Sequence, residues 1–252
     1  MKVLYFTATG NSLSVAKAFG GELLSIPKLV KEGVKEIEDD VIGIVSPTYI
    51  ADAPKMVASF LKNTSIKADY LFGIFTYGIE AGGVVNHAQE CANQGGYSFD
   101  YLNTILMVDN AIERFEINKE LSKLPEKDVE GQLKRIIADV QSRRKFVRSV
   151  GAKSKIADAV YHAVGKFSIA PDRAKSFIIN DSCIKCGMCA KVCPADNIIV
   201  DDDGVRFLEQ CEGCLGCLHN CPKTAIHLKR ETSSVRFRND GVSLKEIVES
   251  NE

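Results

Sequence analysis

Eight of the chain's nine cysteines lie between Cys183 and Cys221, and they form a repeat. Cys183-x2-Cys186-x2-Cys189-x3-Cys193-Pro194 returns 28 residues later as Cys211-x2-Cys214-x2-Cys217-x3-Cys221-Pro222. Three cysteines at x2 spacing can wrap three corners of a cube, because a tight turn aims each thiolate at a separate metal. The run is the bacterial type that ligates 4Fe–4S clusters. The fourth cysteine, before proline, does not comfortably reach the same cube, and in two-cluster proteins it crosses to the other. The spacing therefore predicts one cluster on Cys183, Cys186, Cys189 and Cys221, and a second on Cys211, Cys214, Cys217 and Cys193. Zinc also uses paired Cys-x2-Cys units, yet three evenly spaced cysteines plus Cys-Pro, repeated intact, fit cuboidal clusters far better than tetrahedral ions. Gly187, Gly213 and Gly216 suit tight turns whose N–H groups point at sulfur.

This segment resembles the bacterial two-cluster ferredoxins over about residues 175–229. It is too small to fold on apolar burial alone. Iron–thiolate bonds must supply much of its stability, so iron-free protein should be locally unfolded there. Cysteines this dense in a chain expected in the cytoplasm read as metal ligands rather than disulfides.

The other residues read differently. At 252 residues, two domains are expected. The 32 Lys and Arg against 33 Asp and Glu leave a net charge of −1, which argues against a nucleic-acid binder. No apolar run approaches the roughly 20 residues of a membrane span, and the N-terminus lacks a small-residue cleavage site, so no signal peptide is expected. Short runs rich in Val, Ile, Leu and Phe alternate with helical patterns. Strands are expected at Lys2–Phe6, Glu22–Ile26, Val41–Val45, Tyr70–Phe75 and Leu102–Val108. Helices are expected at Leu13–Phe19, Pro54–Leu61 and Val84–Ala92, with a long helical stretch near Glu126–Val150. Apolar strands alternating with helices imply a parallel sheet covered on both faces.

Thr7-Ala8-Thr9-Gly10-Asn11-Ser12 follows the first strand and opens a helix. Hydroxyls and exposed N–H groups at a helix N-terminus make a phosphate cradle. An ordinary capped helix is the plainer alternative. The loop has no Lys, and the chain has no Gly-x-Gly-x2-Gly, so neither the triphosphate loop nor the dinucleotide fingerprint is present. Ser46-Pro47-Thr48-Tyr49 ends the third strand, and Thr76-Tyr77-Gly78 with Gly82-Gly83 follows the fourth. In an open doubly wound sheet, ligands sit outside the carboxyl ends of the strands at the switch point.

Thr-x-Thr-Gly-Asn-Ser in this place resembles the FMN phosphate loop of flavodoxins, and the likeness covers about residues 1–150. It implies that Thr7, Thr9, Gly10, Asn11 and Ser12 hold the FMN phosphate. Pro47, Thr48, Tyr49, Thr76, Tyr77, Gly78, Gly82 and Gly83 would surround the ring. Either tyrosine could equally be a core-edge residue. Many flavodoxins carry a Trp in the first ring loop, and this chain has none. Asp109-Asn110 gives a weak further signal.

Together these point to an α/β chain, a flavodoxin-like doubly wound five-stranded parallel sheet (1–165) followed by a small α+β two-cluster ferredoxin domain (174–232). The tail 233–252 is without an assigned role. The whole resembles the flavodoxin–ferredoxin fusions called EFR1-type ferredoxins. That resemblance implies FMN and two 4Fe–4S clusters, with redox proteins or small-molecule donors and acceptors as partners. Its work would be conversion between one- and two-electron steps, as an electron carrier or oxidoreductase. The alternative is an FMN-dependent reductase of a small substrate. No separate catalytic residue stands out. His87 and Cys91 share a helix face, most simply for packing.

One charge feature stands apart. From Lys134 to Lys155, eight cations (Lys134, Arg135, Arg143, Arg144, Lys145, Arg148, Lys153, Lys155) face one acid, Asp139. A solvated helix face is the plain reading, a docking surface for the acidic cluster domain the functional one, and nucleic acid the third.

Overall fold

The computed structural model describes residues 1–149 and 171–252. Its main sheet runs β1 (Lys2–Tyr5), β2 (Glu22–Ser25), β4 (Val41–Pro47), β6 (Tyr70–Tyr77), β7 (Tyr101–Leu106) and β8 (Phe146–Val147). The spatial order is β2-β1-β4-β6-β7-β8, and every pairing is parallel. The first five follow the doubly wound 2-1-3-4-5 order. Alternate residues supply two cores. Val3, Tyr5, Phe72 and Ile74 face α1 (Asn11–Phe19) and α6 (Val129–Gln141). Leu4, Phe6, Ile44 and Phe75 face α3 (Lys55–Asn63) and α4 (Val84–Gln94). Two helices, α2 (Ile26–Lys31) and α5 (Ile117–Ser122), complete this unit.

The sheet has six strands, not the five expected. The stretch near Glu126–Val150 is not one helix. It ends at Gln141, Arg143 takes a left-handed φ of 51°, and the chain returns as β8 beside β7. Phe146 secures that return by packing on Tyr101, ring centroids 5.7 Å apart. A two-residue strand has no period to read. A second surprise is a small parallel pair, β3 (Glu36–Glu38) with β5 (Ser65–Lys67). Among the described residues no helix is long and apolar enough to cross a membrane.

The cysteine-rich unit has a hairpin, β10 (Ile198–Asp201) with β11 (Gly204–Phe207), turning through Asp202-Asp203 into Gly204. A strand not foreseen, β9 (Phe177–Ile179), pairs antiparallel with β12 (Ile226–Leu228). The repeat is written in the backbone as well. Left-handed φ values occur at Lys185 and Gly213, at Gly187 and Leu215, and at Asp196 and Thr224, each pair 28 positions apart. Short helices Met188–Lys191 and Gly216–His219 follow the second pair.

The tail packs back on the first unit. Helix Leu244–Glu249 begins with a Ser243–Glu246 capping box. Lys17 pairs with Glu246 at 2.7 Å. The Tyr5 hydroxyl meets Ser250 Oγ at 3.0 Å, and Ser25 donates to the Ser250 carbonyl.

Candidate redox site

Three loops at the carboxyl edge of the sheet enclose a cleft of about 650 Å³. Of the residues expected around a flavin, Thr7, Thr9, Asn11, Ser12, Pro47, Thr48, Tyr49, Thr76, Tyr77, Gly78 and Gly82 line it; Gly10 and Gly83 do not. Gly83 precedes α4 as its N-cap. Gly10 backs onto the tail, where a β-carbon would lie 2.9 Å from Val242 Cβ. Nor are Gly78 and Gly82 small merely to admit a ligand. A β-carbon at Gly78 would strike Asp109 at 2.3 Å, and one at Gly82 would strike Ala51 at 2.2 Å. These glycines let neighbouring loops close on one another.

The phosphate loop is held from several sides. Thr7 Oγ1 accepts from the Gly10 N–H at 3.1 Å. Ser12 and Thr76 hydroxyls meet at 2.9 Å, and Asn110 Nδ2 donates to Thr9 Oγ1 at 2.6 Å. Asn239 of the tail donates its N–H to the Thr9 carbonyl at 2.8 Å. Buried Lys127 fixes the next loops, donating to the carbonyls of Gly78 (3.1 Å) and Met107 (2.7 Å). Thr48 Oγ1 is buried without a partner among the described residues. Because it stands on the cleft wall, a polar ligand group there would satisfy it. The hydroxyl-lined loop at the head of α1 and this orphaned hydroxyl fit FMN. Burial raises the Asp109 carboxyl above its usual range. The Tyr49 phenol is pushed well up, mainly by burial and then by Cys214 and Glu212.

The cysteines sort into two groups across the repeat. Cys183, Cys186, Cys189 and Cys221 line one cavity. Cys193, Cys211 and Cys214 cluster with Cys217, whose thiol is raised first by burial and then by those three. The same causes, burial foremost, raise Cys214, and burial lifts Cys189 to about 11. Four thiols so gathered are hard to ionise together unless a cationic core accepts their charge. Backbone N–H groups already point at sulfur: Asn197 to Cys193 (3.3 Å), Ala225 to Cys221 (3.2 Å) and Gly213 to Cys211 (3.4 Å). This donor set suits iron–sulfur clusters.

The second group abuts the cleft. Glu212, Gly213, Cys214 and Leu215 form part of its wall. Asn220 Nδ2 donates to the Ala8 carbonyl at 3.0 Å, inside the phosphate loop. His219 Nε2 lies 2.9 Å from the Asn110 carbonyl, while its Nδ1 accepts from the Phe237 N–H at 3.1 Å. Burial lowers this imidazole to about 4, so it is neutral with the proton on Nε2. Arg173 pairs with Glu113 across the cleft. None of these bridging residues was foreseen, apart from the weak signal at Asp109-Asn110.

Comparison with known proteins bears on each unit. A family model described as a 4Fe-4S dicluster domain matches residues 175–222. The cysteine-rich segment is a 4Fe–4S ferredoxin-type domain. It is 39% identical over 54 residues to pyruvate synthase subunit PorD of Methanocaldococcus jannaschii, spanning 21% of this chain and 63% of that protein. It is 34% identical over 50 residues to a ferredoxin-like protein in the nif region of Trichormus variabilis, spanning 19% and 43%. The chain thus covers less than two thirds of these relatives. The two-electron reduced flavodoxin of Megasphaera elsdenii overlays 48% of this chain and 95% of that one, at 16% identity and a TM-score of 0.29. The flavodoxin-like character of the first unit rests on its own strand order. The chain thus joins a unit with flavodoxin-like strand order to a 4Fe–4S segment.

Three cations of the basic stretch have acidic partners within the first unit. Arg135 pairs with Asp128, Arg144 with Asp139 and Lys145 with Asp100, all within the first unit. Lys153 and Lys155 lie outside the described residues.

Proposed function

We propose that the chain transfers electrons between two 4Fe–4S clusters and an FMN held in the cleft. Residues 1–165 would be the flavin unit, 174–232 the cluster unit, and 233–252 a strap joining the second back to the first. The distal cluster would sit on Cys183, Cys186, Cys189 and Cys221, the proximal one on Cys193, Cys211, Cys214 and Cys217. One observation carries the reading: Cys214 and Leu215 are part of the flavin cleft's own wall. FMN accepts one or two electrons and a cluster one, so the pairing converts between the two kinds of step. Thr7, Thr9, Asn11 and Ser12 would bind the phosphate, with Gly10 shaping the turn. Pro47, Thr48, Tyr49, Thr76, Tyr77, Gly78 and Gly82 would contact the ring, with Gly83 behind them. Asn220 and His219 hold the proximal loop against the flavin loops, so transfer need not wait for diffusion.

The test is rapid anaerobic mixing of loaded protein with a one-electron donor. Full reduction should take about four electrons per chain, two for the clusters and two for FMN. The clusters should reduce first and the flavin afterwards, at a rate independent of protein concentration. A flavin phase that rises linearly with concentration would mean transfer between molecules and would overturn the reading. A second reading has one observation behind it. The cleft extends past the flavin loops to Arg114, Phe115, Lys229 and Arg230, room for a small substrate above the ring. Cluster-dependent turnover of such a molecule, in a screen of acceptors, would establish it.

A further inference from the structure

The loop between Cys211 and Cys214 is pressed by one cation from outside its own turn. A β-carbon built on Gly213 would lie 3.1 Å from Arg173 Cδ, 3.8 Å from its Nε and 3.9 Å from its Nη1. The arginine side chain therefore lies beside the open face of Gly213, whose N–H donates to Cys211 Sγ. Gly213 is left-handed at φ 68°, so any other residue there would be strained and would also displace the arginine. Arg173 is only 18% exposed, and Glu113 on the far wall fixes its Nη2. Its field is felt nearby, where it counters the rise of the Cys211 thiol and of the Tyr49 phenol.

Other charges near the proximal loop are Glu212, which accepts from the Met56 N–H at 3.3 Å, and Lys55. Lys55 is exposed, so water screens it more strongly. The distal loop has a cation too, Lys185 at the position matching Gly213. That side chain is exposed and turned to the Asp202 carbonyl.

Reduction adds one negative charge to a cluster, and net charge around it is among the factors that set its potential. A fixed, mostly desolvated cation stabilises that added charge. Resting on the two-cluster reading above, we propose that Arg173 raises the reduction potential of the proximal cluster and so draws electrons inward from the distal one. Arginine suits the task because it stays charged and its planar head can lie on a loop while holding a carboxylate.

The test is an EPR-monitored redox titration of the full chain after iron and sulfide have been counted. Cys186→Ser, which removes the distal signal, assigns the two midpoints. Arg173→Lys should leave the proximal midpoint nearly unchanged, Arg173→Gln should lower it, and Arg173→Glu should lower it further. The distal midpoint should stay put throughout. Glu113→Gln removes the compensating charge without touching the cysteine loop, and should move the proximal midpoint upward. It keeps the proposal exposed if the arginine variants load poorly. A proximal midpoint that ignores the charge at 173, or that falls in Glu113→Gln, would overturn the role of Arg173. A chain that takes up only four iron would instead overturn the two-cluster reading itself.

Discussion

Gly187 and Leu215 hold equivalent places in the two cysteine runs, and both have left-handed backbone, at φ 75° and 59°. Around Gly187 there is open space, with nothing within 4 Å of where a β-carbon would sit. Leu215 is buried and lines the flavin cleft. The same contrast holds for the cysteines beside them. Cys186 is exposed, whereas its equivalent Cys214 is part-buried and stands on the cleft wall; Cys189 and Cys217 are both buried. One local sequence pattern has thus made two similar metal nests, and packing alone has given them different neighbours. The outer group of cysteines faces open space, and the inner one adjoins the cleft.

The largest expected break in this comparison comes from removing one ligand on each side. Cys214→Ser should lose the proximal cluster and, with it, part of the cleft wall, so FMN affinity should fall at least tenfold. Cys186→Ser should lose the distal cluster and keep FMN. Iron, sulfide and flavin titrations on the two variants check this; equal flavin loss in both would erase the distinction. Cys91→Ser should leave cluster content unchanged, since Cys91 lies on the buried face of α4 in the first unit's core.

Next come the residues that hold the inner nest to the flavin loops. Asn220→Ala leaves the Ala8 carbonyl without its donor, at a cost of about 1–3 kcal/mol. Denaturant unfolding should show that loss, and the cluster-to-flavin phase should slow. Thr9→Ala and Ser12→Ala should each weaken FMN by about 1–3 kcal/mol while sparing riboflavin. Equal affinity for the two flavins in the parent protein would refute the phosphate loop. Charge reversal at Arg144 and Lys145 should leave interdomain transfer unchanged, because each pairs with an acid of the first unit.

The smallest effect concerns pH. Lys17 foremost, with Ser243, holds the Glu246 carboxyl down at about 2. A depressed acid contributes stability in full above its unfolded value, near 4.3. That contribution fades as pH falls from there through about 2. The pair is part-exposed, so solvent damps it. Protection from hydrogen exchange at Ile247 and Ser250, relative to the free peptide at the same pH, should fall slightly over that window, and Lys17→Met should flatten the response.

Much of this was legible in the sequence because it is local. The cysteine spacing sorts the thiols as the fold gathers them, and the hydroxyl run after the first strand lies on the cleft wall. What escaped is long-range. Asn220 reaches Ala8 across 212 residues, and no pattern near either one announces the other. Arg173 and Glu113 look like ordinary surface charges until the fold sets them face to face. The tail carries a short helical pattern near Leu244–Val248, which is the helix Leu244–Glu249, but nothing in it says which surface Phe237, Val242 and Ile247 will meet. The basic stretch is a conspicuous local pattern, and three of its cations have local partners.

The tail's grip on the phosphate loop has a consequence for the order of synthesis. Asn239 and Val242 cover the back of Thr9 and Gly10, yet they leave the ribosome only after both cysteine runs. Domains generally fold in the order they emerge, but here the first unit cannot finish its flavin loop until the metal-binding segment has been made. In a growing cell, iron and sulfide would therefore have the earlier opportunity to bind, and an FMN would meet a protein whose cysteine-rich unit has already been translated.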